Sequence, residues 1–479
     1  MQPNACEPGP RQQGRTAAAP GRWSRRQFLQ TAAIGGFVAP FLLSCRTARP
    51  ARAANGKLNH ACIGVGGTGW GDLLELAKDP RVEIVAMCDV DANTLASAAG
   101  LLTGARQYSD WRELLRKEGN QVDSVSISVP DHMHFAIAWS AIQLGKHVYC
   151  QAPLCHDVAE VRALSNAALA RNVVTQVGNG TDFSANEPQA LRWLEEGRIG
   201  KVTHAYLCSN GSAARDVTLR LRGPRPAVTQ LPPPSLRWDL WLGTAPARPY
   251  APEVYHPKRW RSWQDFGTGW LGEAGGQLFS AFWKWLELQS PLTIRAEVQD
   301  SWRNSIERLR DTWPQSCHVS WLFPANNKVL GQELLLEWFD GEFTPSEQVR
   351  KIISPDPAAF PAECALLIGT EGSLLIPPAV LPPRLFPAAK FKNVQPQSTP
   401  TTRNSIQEFV AACFGRPRTG SSFDQVAPQT EAMLLGTAAV RLPDKNLEWD
   451  SARLCFKNEP QASGFLRRSY RDGWHMAQF

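Results

Sequence analysis

The sequence predicts an α/β protein, with an N-terminal doubly wound parallel sheet and a C-terminal α+β part that contains a large, mostly antiparallel sheet. From residue 58 to about residue 180, short apolar segments alternate with segments of helical periodicity, which is the pattern of βαβ units. A glycine-rich turn separates the first strand from the first helix. Beyond residue 180, β-prone segments predominate. A chain of 479 residues is long enough for two such cores.

The first part, residues 58–180, is divided into strands and helices by the spacing of its apolar residues. The predicted strands are His60–Val65, Val82–Cys88, Ser124–Val129, His147–Cys150 and Val173–Val177. The predicted helices are Thr68–Lys78, Trp111–Lys117, His134–Leu144 and Asp157–Ala170. This order predicts a parallel sheet with helices on its faces.

The second part, residues 181–479, begins with a predicted helix, Pro188–Glu196, and a strand, Val202–Ser209. A tract rich in Pro and Trp, residues 224–270, is predicted to be mostly loop. Further β-prone segments and two late helices follow, with a long connection over 377–400: strands Thr293–Gln299, Lys328–Phe339, Ala365–Ile368 and Ser373–Ile376, and helices Ser405–Cys413 and Gln425–Arg441.

The net positive charge of the chain comes from its N-terminal 53 residues. The whole chain has a formal net charge of +7, and residues 1–53 hold eight Arg against one Glu. The remainder is therefore close to neutral and has no basic footprint for a nucleic acid, so we expect no nucleic-acid partner. No His/Cys cluster with metal-ligand spacing is present in the sequence, and we expect no metal site.

The N-terminal region, residues 1–53, has the layout of a twin-arginine export signal. Ser24–Leu29 contains the paired arginines, and the apolar stretch Thr31–Leu43 follows. Its thirteen residues are too few for a spanning helix, which needs roughly 20. Two processing routes stay open: lipidation of Cys45 in a lipobox-like segment, or simple cleavage after Ala51–Ala53. The signal predicts an exported protein, periplasmic or associated with the cell envelope.

The turn after the first strand has the G-x-G-x-x-G pattern of dinucleotide-binding proteins. Its cofactor-binding candidates are Gly64, Gly66, Gly67, Thr68 and Gly69. Glycines let the backbone turn tightly and bring N–H groups to a pyrophosphate at the helix N-terminus. Asp89 ends the second strand, where a carboxylate accepts hydrogen bonds from a ribose. The combination favours NAD, with NADP as the alternative.

A second candidate segment, Val129–His134, also follows a strand. The carboxyl ends of parallel strands face the ligand crevice, so we expect Pro130, His132 and His134 to lie near the cofactor. The alternative is that this segment only opens a helix, with Asp131 as its N-cap.

Together these residues resemble the Gfo/Idh/MocA oxidoreductases, specifically their secreted branch with a twin-arginine signal. The resemblance extends over most of the chain beyond the signal region. Its segments are Gly64–Gly69, Asp89, Tyr108–Leu114, Val129–His134, Gly145–Leu154, Gln176–Asn179, Trp238–Gly243, Tyr255–Pro257, Trp260–Arg261 and Asp265–Gly269, and more weakly Thr419–Gly420 and Arg468–Trp474.

The resemblance implies a Rossmann domain followed by a domain with an open sheet that often mediates oligomerisation, so we expect a homo-oligomer. It implies hydride transfer between NAD(P) and a sugar, a polyol or a related compound. Gln151 stands where the family has a Glu, and we expect it at the cofactor. The family's Lys and His at the reacting hydroxyl correspond to Ala152 and Gln277 here, and its Asp corresponds to Glu273. Glu273 is therefore the catalytic candidate.

Three functions remain open from the sequence. The first is an exported NAD(P)-dependent oxidoreductase of carbohydrates with a tightly bound cofactor. The second is a cofactor- or sugar-binding relative that has lost its proton-transfer groups, as Ala152 and Gln277 suggest. The third is an NAD-dependent glycosidase. If Glu273 is not the base, Tyr149, His156 and His256 are the substitutes. The tryptophans between residues 238 and 285 are either a sugar-stacking surface or packing residues.

Overall fold

The computed structural model describes residues 56–178, 186–210, 225, 227, 229–378, 381–396, 404–417 and 419–476. All of these belong to one compact unit, Ala53–Phe479. The signal region, with Cys45 and both processing routes, lies outside the described residues. No helix in the described ranges is both long and apolar enough to span a bilayer.

The first sheet has six parallel strands in the order β3-β2-β1-β4-β5-β6. This is the doubly wound order of a Rossmann fold, with its topological switch between β1 and β4, and it confirms the predicted fold class. The strands are β1 (Leu58–Ile63), β2 (Val82–Cys88), β3 (Arg106–Tyr108), β4 (Ser124–Ile127), β5 (His147–Gln151) and β6 (Thr175–Gly178).

Five helices connect these strands, and Asp side chains begin three of them. Asp91, Asp110 and Asp157 each accept a backbone N–H in the first turn of the helix that follows, which satisfies a donor that has no partner within the helix. The helices are α1 (Thr68–Lys78), α2 (Ala92–Leu101), α3 (Trp111–Glu118), α4 (Asp131–Gln143) and α5 (Val158–Arg171). The prediction missed α2 and the short strand β3.

The second sheet has nine strands in the order β13-β12-β11-β7-β10-β9-β8-β14-β15. Every pairing is antiparallel except that of β7 with β10, so the predicted mostly antiparallel sheet is confirmed. Its strands are β7 (Val202–Ser209), β8 (Thr293–Val298), β9 (Cys317–Pro324), β10 (Glu333–Phe339), β11 (Glu363–Gly369), β12 (Ser373–Ile376), β13 (Arg384–Phe386), β14 (Leu447–Asp450) and β15 (Cys455–Phe456). β13 lies inside the predicted connection 377–400, which is therefore not all loop.

The second part also contains nine described α-helices and two short 3₁₀ helices, Arg259–Ser262 and Pro357–Ala359. The α-helices are α6 (Glu187–Glu195), α7 (Trp238–Leu242), α8 (Gly269–Leu286), α9 (Asp300–Arg303), α10 (Ile306–Asp311), α11 (Glu347–Lys351), α12 (Ser405–Cys413), α13 (Phe423–Val440) and α14 (Pro460–Ser463).

Two helices of the second part pack on the first sheet, and one of them also packs on the second. α13 packs against α8 and strand β8 of the second sheet, and also against α5 of the first part. One apolar core therefore runs from one sheet to the other. α12 belongs to the core on the other side of the first sheet, where Phe409 and Val410 join Leu73 and Met87. Helices from the second part thus complete both faces of the Rossmann sheet.

Candidate active site

The glycine turn between β1 and α1 has no room for side chains at its two ends. The N–H of Gly64 donates to the Cys88 carbonyl over 2.8 Å, and Gly64 has a φ of 81°. A Cβ on Gly64 would lie 2.3 Å from the Ser128 oxygen, and a Cβ on Gly69 would lie 2.1 Å from the Gly64 oxygen. Only glycine fits at these positions, because the turn packs directly against its own backbone and against the end of β4.

The outer side of the same turn fits the pyrophosphate of a dinucleotide. Gly67 and Thr68 are exposed where α1 begins, and the first turn of α1 carries no acidic side chain. A Cβ on Gly67 would meet no heavy atom within 4 Å, whereas one on Gly66 would lie 2.9 Å from Thr94. The N–H groups of a helix's first turn attract phosphate. The residues present therefore suit the cofactor that the motif predicts.

Asp89 lies beside this turn, at the end of β2. Its Oδ2 accepts the N–H of Val65 and its Oδ1 accepts the N–H of Asp91, both over 3.0 Å. Burial raises the pKa of Asp89, and these two N–H groups oppose the rise. Each carboxylate oxygen keeps a further acceptor site, so a ribose hydroxyl can still donate to it. A carboxylate here disfavours a 2′-phosphate, which fits NAD better than NADP.

A segment of the second part, residues 235–237, is hydrogen-bonded to the backbone just after Asp89. Leu236 and Asp91 form an antiparallel bridge, flanked by two backbone hydrogen bonds of 2.9 Å. His256 Nε2 lies 3.4 Å from the Asp91 carboxylate. The adenosine side of the Rossmann crevice is thus bounded by the Pro- and Trp-rich tract.

The segment after β4 places Pro130 at the N-cap position of α4. His134 is buried one turn into that helix, and burial lowers its pKa. Its Nδ1 lies 2.7 Å from the Pro153 carbonyl and its Nε2 lies 2.8 Å from the Val129 carbonyl. The ring therefore holds the loops after β4 and β5 together at the crevice.

Gln151, the last residue of β5, is oriented by a carboxylate that the sequence analysis did not single out. Gln151 Nε2 donates to Asp72 Oδ2 over 2.7 Å, and Ser128 Oγ donates to the same oxygen over 2.7 Å. Asp72 lies on α1, and its burial raises its pKa. These three side chains join α1 to the ends of β4 and β5, so Gln151 lies beside the predicted cofactor site.

Glu273 extends from the second turn of α8 toward the start of α4. Its Oε1 lies 2.9 Å from Arg261 Nε, and both side chains are about one quarter exposed. Its charge also acts on Asp131 and His134. The structure therefore brings the catalytic candidate within electrostatic range of the segment after β4, in ionic contact with an arginine that the sequence analysis did not pair with it.

Asp131 does not cap its own helix. The N-cap position of α4 is Pro130, which makes no side-chain cap, and Asp131 Oδ2 accepts the N–H and the hydroxyl of Thr268 over 3.0 and 2.8 Å. Thr268 immediately precedes α8. The expectation of an N-cap for α4 is wrong because the second part supplies donors that the helix's own first turn does not.

The positions of the missing Lys and His lie near the same crevice. Ala152 follows β5 and is half-buried, and Gln277 lies one turn beyond Glu273 on α8, also half-buried. Neither side chain can exchange a proton. Among the described residues no group of three or more His, Cys, Asp or Glu side chains could hold a metal ion.

The three substitute bases are engaged by other groups. Tyr149 is buried; its hydroxyl lies 3.0 Å from Ser405 Oγ and also interacts with Gln151. His156 Nε2 lies 2.9 Å from the Gln264 carbonyl, and burial lowers the pKa of His156. His256 lies at the adenosine side. Glu273 therefore remains the candidate base.

The tryptophans of the Pro- and Trp-rich tract and of α8 are mainly packing residues. Four of the seven are buried: Trp241, Trp260, Trp263 and Trp283. Three of these four, all except Trp283, pack in a cluster with Tyr255 and Phe266 that lies against Val90. The packing interpretation is confirmed for these four.

Comparison with protein families agrees with this geometry. The model of an oxidoreductase family with an NAD-binding Rossmann fold, Gfo/Idh/MocA, matches residues 58–179. Residues 58–179 are therefore similar to the NAD-binding domain of the Gfo/Idh/MocA oxidoreductases. The match confirms the predicted resemblance over this domain and, because the matched domain is an NAD-binding one, the predicted nicotinamide cofactor.

Curated relatives of this family domain match only part of the chain. A glycosyl hydrolase family 109 protein of Saccharopolyspora erythraea is 31% identical over 205 residues, which cover 38% of this chain and 44% of the relative. A levoglucosan dehydrogenase of Pseudarthrobacter phenanthrenivorans is 28% identical over 116 residues, or 24% and 29% of the two chains. The chain thus spans less than half the length of these relatives.

Solved structures share the fold of this chain over most of its length. An NAD-binding protein from Listeria innocua is 16% identical with a TM-score of 0.53, covering 82% of this chain and 97% of its own. An aldose-aldose oxidoreductase from Caulobacter crescentus is 15% identical with a TM-score of 0.52, covering 82% and 100%. At these identities the likeness shows the fold alone.

Proposed function

We propose that this chain is an NAD-dependent oxidoreductase that transfers hydride between the cofactor and a hydroxyl-bearing carbon of a sugar, a polyol or a derivative, with NADP as the alternative cofactor. The observation that carries the proposal is the position of Glu273. This partly exposed carboxylate of the second part acts electrostatically on Asp131 and His134, which follow the end of β4. The curated levoglucosan dehydrogenase supports a carbohydrate substrate.

The cofactor and the protein chain have separate roles in this reaction. A bound nicotinamide dinucleotide supplies the acceptor for the hydride that leaves the substrate carbon. Glu273 takes the hydroxyl proton, so that the C–H and O–H bonds break and a carbonyl forms. The Arg261 guanidinium lies 2.9 Å from the carboxylate and fixes its orientation. Gln151 and Asp72 hold the cofactor side of the crevice in place.

We further propose that the cofactor is retained rather than exchanged and that the protein is exported by the twin-arginine route to the periplasm or cell envelope. The twin arginines Arg25 and Arg26 support export. The segment 235–237 at the adenosine side supports retention, because release of the cofactor would require movement of a bridged backbone. A homo-oligomer, and a lipid anchor at Cys45 as the alternative to simple cleavage, remain part of the proposal.

The first test is the release of small molecules from the purified, denatured protein, identified by mass spectrometry. We expect stoichiometric NAD(H) or NADP(H). An empty protein that also fails to bind added dinucleotide would refute the proposal.

The second test assigns the base. Glu273→Gln is expected to lower hydride transfer on a responsive sugar about 10² to 10⁴-fold, while bound nucleotide stays unchanged. Glu307→Gln, on the exposed surface of α10, is the matched control and should retain full activity. Equal activities of the two variants would remove Glu273 from the role of base.

A binding protein without catalysis is the second candidate, and Ala152 and Gln277 favour it. In that case Ala152→Lys with Gln277→His should create activity in a silent parent. In an active parent the same pair should lower activity, because a Lys would compete with Arg261 for Glu273.

The matching family 109 protein makes NAD-dependent glycoside cleavage a third candidate, and a panel of aryl glycosides with the same variants tests it.

A further inference from the structure

Asp131 is a carboxyl group enclosed between α4 and α8. Its exposed fraction is 1%. Oδ2 accepts two hydrogen bonds from Thr268, whereas Oδ1 is buried and has no hydrogen-bond partner within the part of the chain that the structure describes. Ionising Asp131 would leave a charged oxygen away from water and without a hydrogen-bond partner, which costs much free energy. Burying the neutral carboxyl group costs much less.

The charged and titratable groups that act on Asp131 come from three elements. Glu273 on α8 adds a like charge, and Arg261 of the 3₁₀ helix 259–262 adds an opposite one. Arg261 is in ionic contact with Glu273, so its charge is largely engaged there. Cys150 on β5 also interacts with Asp131. Burial, followed by the Glu273 charge, raises the pKa of Asp131 to about 8, against the two Thr268 bonds and Arg261.

The two carboxyl groups differ in their access to solvent. Glu273 is about one quarter exposed and can exchange a proton with water or with a substrate. Asp131 is sealed behind Thr268 and the start of α8. A second anion next to Glu273 would have no counter-charge of its own, because Arg261 is engaged.

We propose that Asp131 is a positioning residue that stays protonated beside Glu273, so that the two carboxyl groups hold one proton between them while Glu273 alone exchanges protons at the crevice. This inference rests on the proposed function only for the role of Glu273. The sharing of the proton itself requires neither substrate nor turnover.

The test is infrared difference spectroscopy of the protein as purified, with ¹³C-labelled aspartate to identify Asp bands. We expect a carboxylic-acid C=O band at pH 7 that Asp131→Asn removes and that titrates as the pH rises through about 8. Glu273→Gln removes the like charge and should shift the midpoint of this band to lower pH by about one unit or more. Asp157→Asn is the matched control, because Asp157 is a second buried carboxyl group with a raised pKa whose charged neighbours are Glu160 and Arg468, and not Glu273.

Two results would overturn the inference. One is the absence of any Asp acid band at pH 7 that Asp131→Asn removes. The other is a titration midpoint that Glu273→Gln leaves unchanged. If Asp131→Asn does not fold, the inference is decided by whether Glu273→Gln shifts the titration midpoint of the ¹³C-labelled Asp band. A shared proton in a protein without oxidoreductase activity would refute the proposed function and leave this inference intact.

Discussion

Gly69→Ala tests whether the glycine turn is a cofactor cradle. The added Cβ would lie 2.1 Å from the Gly64 oxygen and 3.0 Å from Ser128 Cβ, and the first distance is nearly an ångström shorter than real Cβ contacts. Because backbone atoms stand in the way, the turn itself must move. Overpacking of this kind costs about 1–3 kcal/mol of folding free energy. The displaced N–H groups would each lose a charged hydrogen bond worth about 1.5–3 kcal/mol, or roughly 10- to 100-fold in dinucleotide affinity.

Gly71→Ala is the matched control on the same helix. A Cβ there meets no heavy atom within 4 Å, and Ala in place of Gly in a helix adds about 0.5–1 kcal/mol of stability. Thermal unfolding and calorimetric titration with NAD, after removal of retained nucleotide, measure both effects. We expect a lower melting temperature and weaker binding for Gly69→Ala, and a slightly higher melting temperature with unchanged binding for Gly71→Ala. Unchanged NAD affinity in Gly69→Ala would refute the assignment of this turn.

Three further predictions concern stability. Folded Asp131 keeps its proton up to about pH 8, whereas an unfolded Asp releases it near pH 3.9. The free energy of unfolding should therefore fall as the pH rises between these values. In denaturant titrations, this fall should be smaller for Asp131→Asn. Arg468→Met leaves Glu160, 1% exposed and 2.9 Å away, buried without its partner, and should cost about 3–5 kcal/mol in urea unfolding. Trp263→Ala empties a fully buried position and should cost about 3–5 kcal/mol by the same measurement, whereas a loss below 1 kcal/mol would contradict the packing role.

The sequence predicted the elements whose local pattern agrees with their final packing. The bounds of α1 and β2 match the prediction because apolar periodicity and flanking turns coincide there. α8 was missed because Gly272, Gly275 and Gly276 lower helix propensity. The structure gives a tertiary reason for one of them: a Cβ on Gly275 would lie 2.8 Å from Met433 Sδ of α13, so glycine allows the two helices to approach closely.

The sequence predicted which residues belong to the candidate site better than it predicted which residues contact them. The motif and the resemblance found Glu273 and Asp89, since both lie at fixed positions relative to recognisable segments. The contacts of Glu273 with Arg261, and of Asp131 with Thr268, join residues from different elements. Spacing along the chain carries no information on such pairs. The local sequence predicted that Asp131 caps helix α4. In the folded protein its carboxylate accepts hydrogen bonds from Thr268 of the second part instead.

One face of the first sheet is completed very late in synthesis. The last strand of that sheet ends at Gly178, and the helix that covers its face with Phe409 and Val410 ends at Cys413. At ribosomal speeds of about 5–20 residues per second, roughly ten to fifty seconds separate these two points. During that interval the nascent Rossmann strands leave an apolar surface uncovered, which makes the partly made chain a substrate for chaperones. This face of the Rossmann sheet is therefore covered only when the polypeptide is nearly finished, and a chain that ends before residue 404 would leave it exposed to aggregation.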